Sequence, residues 1–147
     1  MNKQIHQTIT GELSEKYLIE TDQDCSFDLC FIHDKPNTSS NISILILASG
    51  QAHINVNATI VIKSSAPGTN AWLDIKVITR DQAIVTAAPN LEIHNDAVKA
   101  GHSLSTKRVS EDQLFYLASR GINRTVAEQL VLNAIAEPYR NKGIKLI

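Results

Sequence analysis

The sequence predicts a mainly β domain, a sandwich or a solenoid of many short strands, followed by a helical hairpin. Three observations carry this. In AHINVNATIVIK the residues Ala52, Ile54, Val56, Ala58, Ile60 and Ile62 hold alternate positions, opposite a polar set of His53, Asn55, Asn57, Thr59 and Lys63 that only Val61 interrupts. Turn-forming clusters recur at short intervals with no helix-length pattern between them, which disfavours strand–helix–strand crossovers. From Ser110 onward the apolar spacing becomes helical.

Taken in order, strands are expected at residues 17–20, 26–33, 42–47, 52–63, 71–79, 83–87, 91–94 and 98–104. The run DCSFDLCFIH holds both cysteines: Cys25, Phe27, Leu29 and Phe31 share one parity, and Ser26, Asp28, Cys30 and Ile32 the other. At about 3.3 Å per residue the two thiols lie roughly 16 Å apart on opposite faces, out of reach of a disulfide or a shared metal. Two reduced thiols are therefore expected, one of them buried. HDKPNTSSN is the most loop-like segment, and ASG, SSAPG, TRDQ and AAPN supply turn chemistry between strands. Trp72 alternates with Asp74 on the face opposite Leu73, Ile75 and Val77, a place to pack on a neighbouring strand or to rim an interface.

In SEDQLFYLASRG, Ser110 stands as an N-cap with Gln113 three residues on, Glu111 and Asp112 occupy the first turn, and Gly121 follows the last. A helix from 111 to about 120 follows, with Arg120 in its last turn complementing the dipole. Asn123 caps a second helix whose stripe is Val126, Ala127, Leu130, Val131, Ala134 and Ile135, ended by Pro138. The closing YRNKGIKLI is basic and expected to be loose, its last apolar residues free to dock.

With 147 residues and ordinary apolar content, one compact domain is expected, a β core over 1–109 and a helical segment over 110–147. The longest apolar run, Ile44 to Ala48, is too short to span a bilayer, and the amino-terminal residues do not read as a secretory signal, so a cytoplasmic location without membrane contact is expected. Residues 1–98 carry 6 Lys/Arg against 11 Asp/Glu, and residues 99–147 carry 8 against 4. That mild carboxy-terminal excess is far from the clustered basic stripe of a nucleic-acid binder, and no nucleic-acid partner is expected.

The chain has no P-loop, dinucleotide fingerprint, Gly-x-Ser-x-Gly elbow or His-Glu-x-x-His, so no enzymatic activity is expected. Glu92, His94 and Asp96 alternate in LEIHND, where they form either a solvated strand face or a weak metal site. His102, between a strand-like and a helix-like run, is a further metal or cluster candidate. Its plainer role is to anchor the strand-to-helix turn or to line a dimer contact.

PNLEIHNDAVKAGHSLSTKRVSEDQLFYLASRGINRTVAEQLVLNAI resembles the carboxy-terminal end of the SufB/SufD family of iron–sulfur cluster assembly proteins. EDQLFYLASRGI is the strongest part, PNLEI and VAEQL flank it, and a weaker likeness runs back to about Ala66. The resemblance implies a right-handed parallel β-helix that pairs with another copy or a related SufB/SufD-like subunit. It also implies a helical segment that binds the ABC-type ATPase SufC, with Glu111, Asp112, Phe115, Tyr116 and Arg120 as docking candidates. His102 would stand where the family carries a histidine in a CSH-type or EHE-type motif near the subunit interface, here flanked by Ala100, Gly101 and Ser103. No resident cofactor is implied beyond a transient iron–sulfur cluster or a divalent metal. A structural homo-oligomer that kept the fold for another purpose is the competing expectation.

Overall fold

The computed structural model describes residues 1–147. One sheet holds β1 (Asn2–Ile9), β3 (Cys25–His33), β5 (His53–Ile62) and β7 (Ile84–Ile93), in that order. The other runs β8 (Lys99–Arg108), β6 (Asn70–Thr79), β4 (Ser39–Ala48), β2 (Glu12–Thr21) and β9 (Ile144–Lys145). Every pairing is parallel and β1 to β8 switch sheet at each step, so the chain winds as a β-solenoid of about three turns. Parallel pairing decides what the periodicity left open between sandwich and solenoid.

Stacking turns strand alternation into inward columns. Tyr17, Ile44, Ile75 and Leu104 make one, and Glu15, Ile42, Leu73 and His102 the next. The middle of each column is buried, because a rung covers it on both sides. At roughly 1.5–3 kcal/mol for each large aliphatic side chain taken from water, these columns are the main support of the fold. A second, smaller core lies on the outer face of the second sheet, where Leu18, Leu45, Leu47 and Ile78 meet Leu132, Ala136 and Tyr139 of the long carboxy-terminal helix.

Several expected boundaries shift. β1 was not expected, because Lys3 and Gln7 alternate with Ile5 and Ile9 at its inward positions and blur the pattern. The expected strands 83–87 and 91–94 are one strand, β7, which runs straight through Pro89. Ile84 N–H donates to Ala52 O (2.9 Å) and His94 N–H to Ile62 O (2.8 Å), so even-numbered residues bond β5. Pro89, of the opposite parity, turns its missing donor toward the open edge, where it costs no ladder bond.

The hairpin comprises α1 (Glu111–Ser119) and α2 (Arg124–Lys142). α2 does not end at Pro138. Beyond the proline, Tyr139 shares a 2.6 Å hydrogen bond with Ser43, and Arg140 pairs with Glu20 at 2.7 Å, fastening the last turn to the sheet. The tail is not loose either: β9 pairs with β2, and Leu146 is buried in the main core.

Candidate functional site

The solenoid's two ends differ. In the first rung, Tyr17 O–H donates to Glu15, with Gln7 Oε1 at 3.3 Å, so polar groups close that end on themselves. Burial first, and then the Glu15 carboxylate, push the Tyr17 phenol above its ordinary range. In the last rung nothing of the chain stacks on β7 and β8. Ile93, Leu104 and His102, at inward positions of their strands, are exposed there.

His102 is therefore not at the strand-to-helix turn. β8 continues to Arg108, and His102 sits mid-strand directly over Leu73, holding the place an apolar residue would take if another rung followed. Its imidazole makes no hydrogen bond within the chain. On the outer face of the same strand, Ser103 O–H donates to Asp74, and Trp72 lies over Gly101.

Glu92 and His94 do share a face, with Glu92 Oε1 at 2.8 Å from His94 Nε2. Asp96 lies beyond the end of β7 beside a shallow hollow with Ser64 and Asn95, and no group of three or more His, Cys, Asp or Glu side chains converges to hold a metal. His102 belongs to the opposite sheet from β7, so it does not join Glu92 and His94. Cys25 is buried in the core and Cys30 faces outward, both free, as the alternation required. Burial pushes both thiols up, and Asp28 and Glu92 add to the rise at Cys30, so neither is poised as a thiolate.

The hairpin is built as its caps dictate. Ser110 Oγ accepts from Gln113 N–H (3.4 Å) and Asn123 Oδ1 from Val126 N–H (3.0 Å). Gly121, at φ 82°, lets Ile122 N–H reach Leu117 O (3.1 Å) and Gly121 N–H reach Ala118 O (3.0 Å), a Schellman stop. Arg124 then holds Glu111 through both carboxylate oxygens at 2.7 and 2.9 Å, and Glu128 at 3.2 Å. Hydrogen bonding to that guanidinium keeps the Glu111 carboxyl below the usual carboxylate range.

Glu111 is thus occupied inside the hairpin, while the other docking candidates face out. α1 buries only Leu114, leaving Phe115 77 % and Tyr116 57 % exposed, with the Arg120 guanidinium 5.4 Å from the Tyr116 ring centre. The α2 stripe is rotated from the expected one: Ala127, Leu132, Ala136 and Tyr139 are buried, whereas Val126 and Leu130 are exposed. Sequence spacing missed these two as surface residues, and it missed Arg124, whose partner Glu111 is on the other helix and not at helical spacing.

The family profile described as SUF system FeS cluster assembly, SufBD core domain, matches residues 3–135, from the first strand into the second helix. The chain belongs to the SufBD family. Curated relatives of this SufBD-family chain include iron–sulfur cluster assembly SufBD family proteins of Mycobacterium bovis and Mycobacterium tuberculosis, each 30 % identical over 129 residues. Another, from Staphylococcus aureus, is 28 % identical over 109 residues. These alignments cover 87 % and 74 % of this chain but only 15 % and 23 % of the relatives' lengths. No helix of this SufBD-family chain is long and apolar enough to cross a membrane.

Proposed function

We propose that the chain is a non-catalytic scaffold subunit of iron–sulfur cluster assembly, docking a SufC-type ABC ATPase through its helical hairpin and pairing through the uncovered end of its solenoid. The partner in that pair is a second copy or a related SufB/SufD-like subunit. The observation that carries the docking half is the outward presentation of Phe115 and Tyr116 on a helix that touches the rest of the molecule almost solely through α2. Large aromatics left in water on a capped, well-formed helix suit a partner surface better than they suit a monomer.

The iron–sulfur cluster is cargo in this reading. Clusters are held mainly by thiolates, and β8 offers one imidazole per chain, so even a pair of chains supplies two nitrogen donors at that interface. Such a site passes a cluster on or binds a divalent metal weakly.

The test is co-purification of the full chain with the SufC-type ATPase of the same cell, intact and as the Phe115→Ser, Tyr116→Ser double variant. Removing two exposed aromatic anchors is expected to weaken binding at least about tenfold while leaving the melting temperature in place. Unchanged binding in the double variant would remove the hairpin from the docking surface.

A further inference from the structure

We infer that the hollow where the second sheet meets the hairpin is a binding site for a small oxyanion of the phosphate class. Arg80 follows β6, Arg108 ends β8 and Arg124 opens α2, so three elements far apart in sequence each bring one guanidinium to a cavity of about 230 Å³. Its charges are unevenly matched. Arg124 is spent on both oxygens of Glu111 and on Glu128 at 3.2 Å. Arg80 reaches Glu128 only at 3.7 Å, beyond hydrogen-bond length. Asp81 also lines the hollow, but its carboxylate accepts from Gly50 N–H at 2.9 Å in the neighbouring turn. Arg108 is left without a carboxylate at ion-pair distance. It donates to Asp81 O at 3.0 Å, which fixes the guanidinium in place while its charge and remaining donors stay unanswered.

Thr79 gives a second, independent sign. It lines the same hollow and is only 9 % exposed, yet its hydroxyl makes no hydrogen bond within the chain. A buried hydroxyl without a partner is unfavourable, and a bound acceptor relieves it. The ligand that suits these groups accepts hydrogen bonds only and carries more than one negative charge. Arg108 and the loosely paired Arg80 offer forked N–H donors of the kind that match phosphate oxygens, and Thr79 adds a hydroxyl. A cation finds no ligand here, because Arg124 already holds Glu111 and Glu128. A carboxylate has two oxygens in one plane, whereas a tetrahedral oxyanion presents its oxygens to donors arriving from β6, β8 and α2. Since Arg80 and Arg108 belong to the solenoid and Arg124 to the hairpin, the bound anion also ties the two parts together. Phe115 and Tyr116 take no part in lining the hollow, so this site is separate from the docking face.

The experiment is titration calorimetry of the full chain with pyrophosphate and orthophosphate, and with malonate as a dicarboxylate control, all at one ionic strength. It compares the wild type with Arg108→Gln and Lys107→Gln. Lys107 is the neighbouring exposed cation of β8 and lies outside the hollow, so its variant removes the same charge without touching the site. The expected result is saturable binding of both phosphate anions by the wild type and by Lys107→Gln, weakened at least about tenfold in Arg108→Gln. Both anion-free variants are expected to melt where the wild type does, and malonate to bind more weakly than either phosphate anion. Equal weakening by the two substitutions overturns the site in favour of diffuse attraction to the basic carboxy-terminal part. Malonate binding as tight as phosphate overturns the phosphate class. A wild-type chain that shows no saturable binding of either phosphate anion overturns the site outright.

Discussion

His33 ends β3 at an inward position, stacked between Ile9 and Ile62, yet its ring is completely buried without a charged partner. Nδ1 lies 2.8 Å from Thr38 Oγ1 and Nε2 2.8 Å from Ser40 Oγ. Thr38 spends its own proton on Lys35 O (3.1 Å), so its hydroxyl accepts from Nδ1–H, and Nε2 accepts from Ser40. The neutral ring thus has both nitrogens satisfied, and burial holds its pKa below the ordinary histidine value. Since the folded state resists the proton, the unfolded chain takes it up first. This residue's stabilisation is full above the unfolded value of about 6.5 and fades as the pH drops below it. Urea unfolding from above neutrality down to about pH 5 should show stability declining, with a shallower decline in His33→Gln, because the chain's other histidines are exposed. An equal decline in both proteins would mean that the acid sensitivity comes from elsewhere.

At the scale of elements, the junction from α2 to β9 turns on a close approach. A Cβ at Gly143 would run into the Tyr139 carbonyl and lie 2.9 Å from Lys16 O, both backbone atoms that cannot swing aside. Gly143→Ala should therefore cost about 1–3 kcal/mol and speed amide exchange at Leu146, which donates to Leu18 O at 2.8 Å. A melting temperature and exchange rate like the wild type's would show that the tail absorbs the methyl group. The hairpin was legible in the sequence because caps are local: Ser110, Gly121 and Asn123 act within a turn of themselves. β7 was misread as two strands because Pro89 resembles a turn until one knows that it lies on an edge. The length of α2 past Pro138 was hidden for the same reason, since the contacts of Tyr139 and Arg140 come from Ser43 and Glu20, about a hundred residues away in sequence.

For the whole molecule, the solenoid itself was only half legible. Alternation places Ile54 or Leu73 inward, but a sandwich needs the same alternation, and the rung length varies too much to show as a repeat: Asn2 stacks on Ser26 and Ser39 on Asn70. His102 illustrates the consequence, since its position over Leu73 at an uncovered end exists only once the rungs are stacked. The same stacking makes the helical segment inseparable from the β core. Leu18 and Leu45, fully buried, are sealed by Leu132, Ala136 and Tyr139 of α2, while Leu146 fills the main core from the far end of the chain. Taking residues 110–147 away would open an apolar outer face on the second sheet and free the edge of β2 that β9 covers. A chain ending before Ser110 is therefore expected to aggregate or to melt far below the full protein, as gel filtration and circular dichroism would show. If instead it stays monomeric with an unchanged melting temperature, the hairpin is a detachable module, and partner docking can then be tested by truncation instead of by substitutions confined to α1.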